Sequence, residues 1–226
     1  FRLEGQKTIM YRIIEQMGWD VPDWIVVPGG NLGNSSAFGK AFYELDKLGL
    51  IRKIPRMAII NATGADTLTD LVNNKGLAWN DGNVDYGMID DYYADLTARS
   101  FSPHTCASAI EISRPVNLSK CLRSIAICDG VVMAVPDEEI LDAKALIGKY
   151  GLGCEPASAA TVAGLIHLVR DGVIGKDERV ACVLTGHPLK DPDATVNYHK
   201  ENQGKYGNPP IEAANDLDEV ISKIRG

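Results

Sequence analysis

The chain has 226 residues, 45% hydrophobic and 23% charged, a composition that excludes a disordered or fibrous protein and is enough for a sizeable core. Its net charge of −7 argues against the basic face of a dedicated nucleic-acid binder and the polybasic strip of a membrane-surface protein. It leaves open an anion site built from backbone amides and one or two arginines.

The predicted elements alternate between helix and strand. Arg2–Gly5 reads as a lead-in. Ile9, Met10, Ile13, Ile14 and Met17 recur at helical spacing, so residues Gln6–Met17 are predicted helical, with Gly18 as the stop. The short β-branched run Trp24–Val27, between Pro22 and Pro28, reads as a buried strand, and a helix is predicted over Ser35–Leu48. A strand follows at Met57–Ile60 and a helical stretch at Asp66–Val72. Asn73–Thr105 is polar and rich in Gly, Asp and Asn, and is predicted irregular, either functional or a flap. Helices are predicted at Thr105–Ile112 and Asn117–Cys128, a strand at Val131–Val135, and a helix from Pro136-Asp137 to Tyr150. Another helix runs from Glu155-Pro156 to Arg170, a strand from Val180 to Leu184, and a final helix from Leu217 to Ile224; Pro192–Pro210 reads as a linker. The expected fold is α/β, a mostly parallel open sheet with helices on both faces.

No run reaches the ~18 apolar residues of a membrane-spanning helix, and no secretory-signal pattern is seen. The five cysteines (Cys106, Cys121, Cys128, Cys154, Cys182) form no CxxC pair and no cluster with His. They read as reduced thiols, mostly core, in a cytoplasmic protein with no metal site.

The strongest local signal is Pro28-Gly29-Gly30-Asn31-Leu32-Gly33-Asn34, between a predicted strand and a predicted helix. Unpaired N–H groups and the positive dipole end of the helix favour an anion there, and glycines let the backbone approach it closely. The GK[ST] ending of a P-loop is absent, and so is the GxGxxG spacing. Phosphate binding and a plain tight turn both fit this loop taken alone. Thr185 lies at the end of another predicted strand. Ligands of open α/β sheets bind at the carboxyl ends of strands, so Thr185 and Asn31 are expected to face one crevice. Taken alone, Thr185 also fits a hydroxyl bonded to its own loop, and His187 a structural or solvated side chain.

Five segments in order then resemble the threonine synthases, pyridoxal-phosphate enzymes of the β-family (fold type II). They are Arg2-Leu3-Glu4-Gly5-Gln6-Lys7-Thr8, the Pro28–Asn34 loop, Ala107-Ser108-Ala109-Ile110, Glu155-Pro156-Ala157-Ser158-Ala159-Ala160, and Thr185-Gly186-His187-Pro188-Leu189-Lys190-Asp191. The resemblance implies that Gly30, Asn31, Leu32, Gly33 and Asn34 hold the phosphate of pyridoxal 5′-phosphate, and that Thr185 places its hydroxyl at the pyridine nitrogen. A neutral hydroxyl does not force protonation of that nitrogen as a carboxylate would. Arg2 and Asn31 are the implied contacts to the phosphate of O-phospho-L-homoserine. The Glu155 segment resembles family framework near the cofactor, while by residue type it reads as a helix start with Pro at its first position, and Lys190 reads as part of a solvated loop.

The family's cofactor-binding lysine lies in a Phe-Lys-Asp-Arg-like motif, and no lysine here follows a Phe. The chain, which begins at Phe1, is therefore expected to be the C-terminal part of a threonine synthase, inactive alone and homodimeric at full length. No catalytic residue is assigned within it. Two alternatives stay open: a threonine or serine ammonia-lyase, against which the Gly-Asn-x-Gly-Asn loop counts, and a non-catalytic homologue that binds the cofactor or a phosphorylated metabolite.

Overall fold

In the computed structural model, which describes residues 1–202 and 204–225, four strands form one sheet. They are β1 (Trp24–Pro28), β2 (Arg56–Ala62), β3 (Val131–Val135) and β4 (Val180–Cys182), in the order β3-β2-β1-β4. Every pairing is parallel; Val26 of β1 faces Ala58 on one side and Cys182 on the other. Parallel neighbours need crossovers, which the helices supply. Helices α1 (Arg2–Gln6) and α2 (Thr8–Gln16) precede β1, and α3 (Gly33–Lys47) links β1 to β2. A short α4 (Thr67–Thr69), α5 (Tyr86–Ala98) and α6 (Leu118–Ile127) lie between β2 and β3. Then α7 (Asp137–Lys149) and α8 (Pro156–Arg170) lead to β4, with α9 (Pro192–Asn197) and α10 (Leu217–Arg225) after it.

β1 is buried at every residue, which explains its unbroken apolar sequence. Alternate side chains enter two cores. Ile25, Val27, Met57 and Ile59 pack with Met10 and Ile14 of α2, Phe38 and Phe42 of α3, and Leu122 of α6. Trp24, Val26, Ala58 and Ile60 pack on the other face against Ile140 of α7 and the small residues Ala157, Ala160 and Ala163 of α8. Each large side chain so buried contributes about 1.5–3 kcal/mol. Helices therefore cover both faces, as the sequence predicts.

Several boundaries differ from expectation. Arg2–Gly5 is helical, belonging to α1. The segment 73–105 contains the 13-residue α5. Only Ile89 and Leu96 of that helix are buried, a stripe too thin to stand out among its Asp and Tyr residues, and its start is set by Asp85, whose side chain accepts from the Met88 amide at 2.9 Å. Thr105–Ile112 forms only a single 3₁₀ turn, Ser108–Ile110. Carboxylates hold its start: the Thr105 amide donates to Glu111, within the same segment, at 2.9 Å, and the Cys106 amide to the more distant Asp137 at 2.7 Å. The predicted linker 192–210 begins with α9, and β4 stops at Cys182, short of Leu184.

Candidate functional site

A cleft of about 860 Å³ opens at the carboxyl ends of β1 and β4. Gly30, Asn31, Leu32, Gly33, Asn34, Thr185 and Arg2 all line it, so the predicted site residues converge. The reason is topological. β1 and β4 are adjacent and parallel, and the Val183 amide continues their ladder by donating to the Val26 carbonyl at 2.9 Å. The two strands therefore deliver their following loops to the same edge.

The loop after β1 is shaped for close approach. Its entry is fixed by Asn61, whose side-chain amide donates to the Gly29 carbonyl at 2.5 Å while its carbonyl accepts from the Thr69 amide and hydroxyl. A Cβ on Gly30 would lie 2.8 Å from the Ala109 carbonyl oxygen. Leu32 is left-handed, with φ 60°, and caps α3 without any side-chain hydrogen bond. That conformation costs a non-glycine residue roughly 1–2 kcal/mol. Among the described residues, the amides of Gly30, Asn31, Leu32, Gly33 and Asn34 donate to no protein acceptor. They sit at the N-terminus of a 15-residue helix, where the macrodipole is positive.

The start of α6 meets the same loop. The Asn117 amide and side chain both donate to the Asn31 carbonyl, at 3.3 and 3.0 Å, and the Val116 amide reaches Asn31 Oδ1 at 3.4 Å. The Nδ2 group of Asn31 remains free among the described residues.

Sequence reasoning left three neighbours of the site unassigned. Gln6 of α1 donates to Asn34 Oδ1 at 2.7 Å, while its own Oε1 is buried without a partner. Glu155 reads from sequence as a helix start, and it does cap α8, but its buried carboxylate also lines the cleft. It accepts from the Thr185 hydroxyl at 3.1 Å and pairs with the Lys190 ammonium at 2.6 Å, so Lys190 is a partner of the site and not merely a solvated loop residue. Ser158, one turn into α8, accepts from the amides of Thr185 and Gly186 at 2.8 and 3.0 Å. The signal for the last two was the small-residue run after Glu155-Pro156, which packing alone also explained. His187 serves its own turn, accepting from the Leu189 amide at 3.2 Å.

The thiols are poor nucleophiles. Burial pushes Cys106 and Cys121 up to about 12 and Cys182 to about 11. No metal-ligating cluster occurs among the described residues, and no helix of the described residues is long and apolar enough to cross a membrane.

Comparison with known proteins agrees with this geometry. The chain is 41% identical to the threonine synthase of Methanocaldococcus jannaschii over 99% of its length and 49% of that protein's. It is 42% identical to the threonine synthase of Methanosarcina acetivorans, over 100% of this chain and 50% of the relative. The chain thus spans about half the length of the curated relatives it matches. Among solved structures, the L-serine ammonia-lyase of Rhizomucor miehei shares the fold, with a TM-score of 0.61 at 20% identity over 85% of this chain and 55% of that one. The family model described as pyridoxal-phosphate dependent enzyme matches residues 1–186. Because that match takes in both walls of the cleft, from the first helix through Thr185, the chain belongs to the pyridoxal-phosphate dependent enzymes.

Proposed function

We infer that the protein converts O-phospho-L-homoserine and water to L-threonine and phosphate. This chain supplies the cofactor cradle, and the cofactor-binding lysine comes from outside these 226 residues. The observation that carries the reading is the run of unbonded amides from Gly30 to Asn34, facing Thr185 across one cleft.

These residues fit pyridoxal phosphate. The amides and the uncapped start of α3 suit its phosphate, and the missing Cβ at Gly30 leaves the close surface that phosphate needs. Thr185 offers a hydroxyl for the ring nitrogen. When bound, the cofactor supplies an electron sink for negative charge on the substrate carbons. The protein's part is positional. Gln6 fixes the Asn34 side chain, and Asn117 fixes Asn31. Arg2 lines the cleft with no carboxylate within ion-pairing distance among the described residues. Its guanidinium and the free Nδ2 of Asn31 are the groups that would hold the leaving phosphate. The two threonine synthases to which the chain is similar support L-threonine as the product, and the family resemblance supports a cytoplasmic homodimer.

Two measurements test the reading. The chain is incubated with pyridoxal phosphate, dialysed, reduced with borohydride and analysed by mass spectrometry. The expected result is no specific lysine adduct, whereas one stoichiometric adduct on a single lysine would place the covalent site inside the chain. Mixing the chain with the N-terminal half of a threonine synthase should restore phosphate release from O-phosphohomoserine with threonine as product. Release of ammonia from serine or threonine instead would favour the ammonia-lyase reading.

A further inference from the structure

Helix α6 leads away from the loop at Asn31, and the residues it turns to the cleft carry charge. Asn117, Lys120 and Arg123 follow one another at three-residue spacing, so they share a face, and all three line the cleft. Asn117 bonds Asn31, and at about 1.5 Å per residue the two cations stand about 4.5 and about 9 Å farther along the axis. The helix is fixed against α3, because the Ser124 hydroxyl donates to the Ser36 carbonyl at 3.2 Å.

Helix propensity does not explain these cations. Lys120 lies in the first turn of α6, where the positive end of a helix favours acidic residues, and that turn has none. Neither cation pairs with a carboxylate among the described residues. Arg123 is held instead by two rings, its guanidinium 5.4 Å from the Tyr43 centroid and 6.0 Å from that of Trp79. The carboxylates that line the cleft are already matched, Glu4 by Lys40 and Lys7, and Glu155 by Lys190. The groove is therefore cationic in a chain whose net charge is −7.

We propose that Lys120 and Arg123 form an entry ramp, which draws the cofactor by its phosphate toward the amides of Gly30–Asn34 and does not hold it once bound. The inference rests on the cofactor reading above. Charges of one sign along a walled groove focus their field, and at low salt that field reaches beyond the mouth. The molecule as a whole, at −7, repels a dianion. The two fields oppose each other, so added salt shows which one the ligand meets. Screening slows association if the ramp governs, and speeds it if the net charge does.

The test is stopped-flow fluorescence of pyridoxine 5′-phosphate, which has no aldehyde and needs no lysine, on the 226-residue chain. At about pH 8 its phosphate is a dianion. Between about 10 mM and about 300 mM salt the association rate constant is expected to fall at least about fivefold, as the screening length shortens from roughly 30 Å to below 10 Å. Lys120→Glu combined with Arg123→Glu should lower it on the order of tenfold at low salt, with release changed by less than about twofold. Lys120→Arg should keep the unmodified rate. Arg123 also packs on two rings, so Lys120→Glu alone, with a loss of about threefold, decides the matter if the double variant does not fold. An association rate in the unmodified chain that rises with salt, or ignores it, overturns the proposal. So does a loss carried by release and kept at high salt, which would make the two residues direct contacts. If the probe does not bind at all, the cofactor site itself fails, and the ramp with it.

Discussion

Asn61 and Gly29 are joined side chain to backbone at 2.5 Å, a bond between the end of β2 and the first residue of the loop after β1. A Cβ on Gly29 would fall 2.7 Å from the same Asn61 nitrogen, so the two residues are fitted to each other. Asn61→Asp keeps the shape but replaces the donor with an acceptor facing a carbonyl. The expected loss is about 2 kcal/mol in urea denaturation, the penalty of a buried unsatisfied pair, together with weaker binding of pyridoxal phosphate. Unchanged stability and affinity would show that the loop is held by other contacts.

Gly30 and Gly5 should respond oppositely to alanine. At Gly30 the added methyl meets the backbone of Ala109 and Ile110, at 2.8 and 3.2 Å, and neither can rotate away. Gly30→Ala is expected to destabilise by about 1–3 kcal/mol and to lower cofactor affinity at least about tenfold. Gly5 lies in α1 with nothing within 4 Å of a built Cβ, so Gly5→Ala should be neutral or stabilise by up to about 1 kcal/mol. Thermal melts with and without cofactor separate the two cases.

Helices α3 and α6 cross with almost no gap at Gly39. A Cβ there would sit 2.3 Å from the Ser124 side chain and 2.7 Å from its Cα. Alanine is the better helix former by about 1 kcal/mol, yet Gly39→Ala should cost about 1–3 kcal/mol, because overpacking outweighs propensity. Ser124→Gly in the same molecule should recover part of that loss, and the clash that persists with the main chain of residue 124 prevents full recovery. Additive losses in a double-mutant cycle would contradict a direct clash.

Docking of α1, which carries Arg2, should depend on pH. Hydrogen bonds from Lys40 and Lys7 hold the Glu4 carboxylate at about 2, down from 4.5. A carboxylate whose value is lowered on folding contributes fully above its unfolded value and loses the contribution as pH falls toward the folded one. Here that window runs from 4.5 down to about 2. Lys7 is shifted the other way, upward, by Glu4 and Glu44, so its share is complete below 10.5 and fades only in strong alkali. Protection factors of the Gly5 and Lys7 amides, which donate to Phe1 and Leu3 carbonyls, should therefore fall on acidification through that window. Glu4→Gln should flatten the response.

How much of this was legible depended on distance along the chain. The loop from Gly30 to Asn34 could be read because glycine, asparagine and a helix start act locally. Thr185, 154 residues beyond Asn31, was placed opposite it by the parallel-sheet rule alone, which needs no pairwise detail. Glu155 was passed over because the short-range meaning of Glu-Pro-Ala, a helix start, was correct and sufficient. Its second task, on the Thr185 hydroxyl, appears only when β4 returns beside β1. Helix α5 was missed for the opposite reason: two buried residues in thirteen give almost no periodic signal, and the helix rests on an aspartate cap.

The unbonded amides between Gly30 and Asn34 give the site a particular kind of robustness. A grip made of peptide groups has no side chain to lose and no proton to gain or release. On the proposed reading it would add nothing to the net charge, so a chain at −7 would take a dianion without any change in its composition. Substitution in that loop can harm it only by adding atoms or by altering the backbone turn. In the proposed site the glycines would thus act by what they leave out, while Leu32 adopts the left-handed turn as a non-glycine residue, with φ 60°.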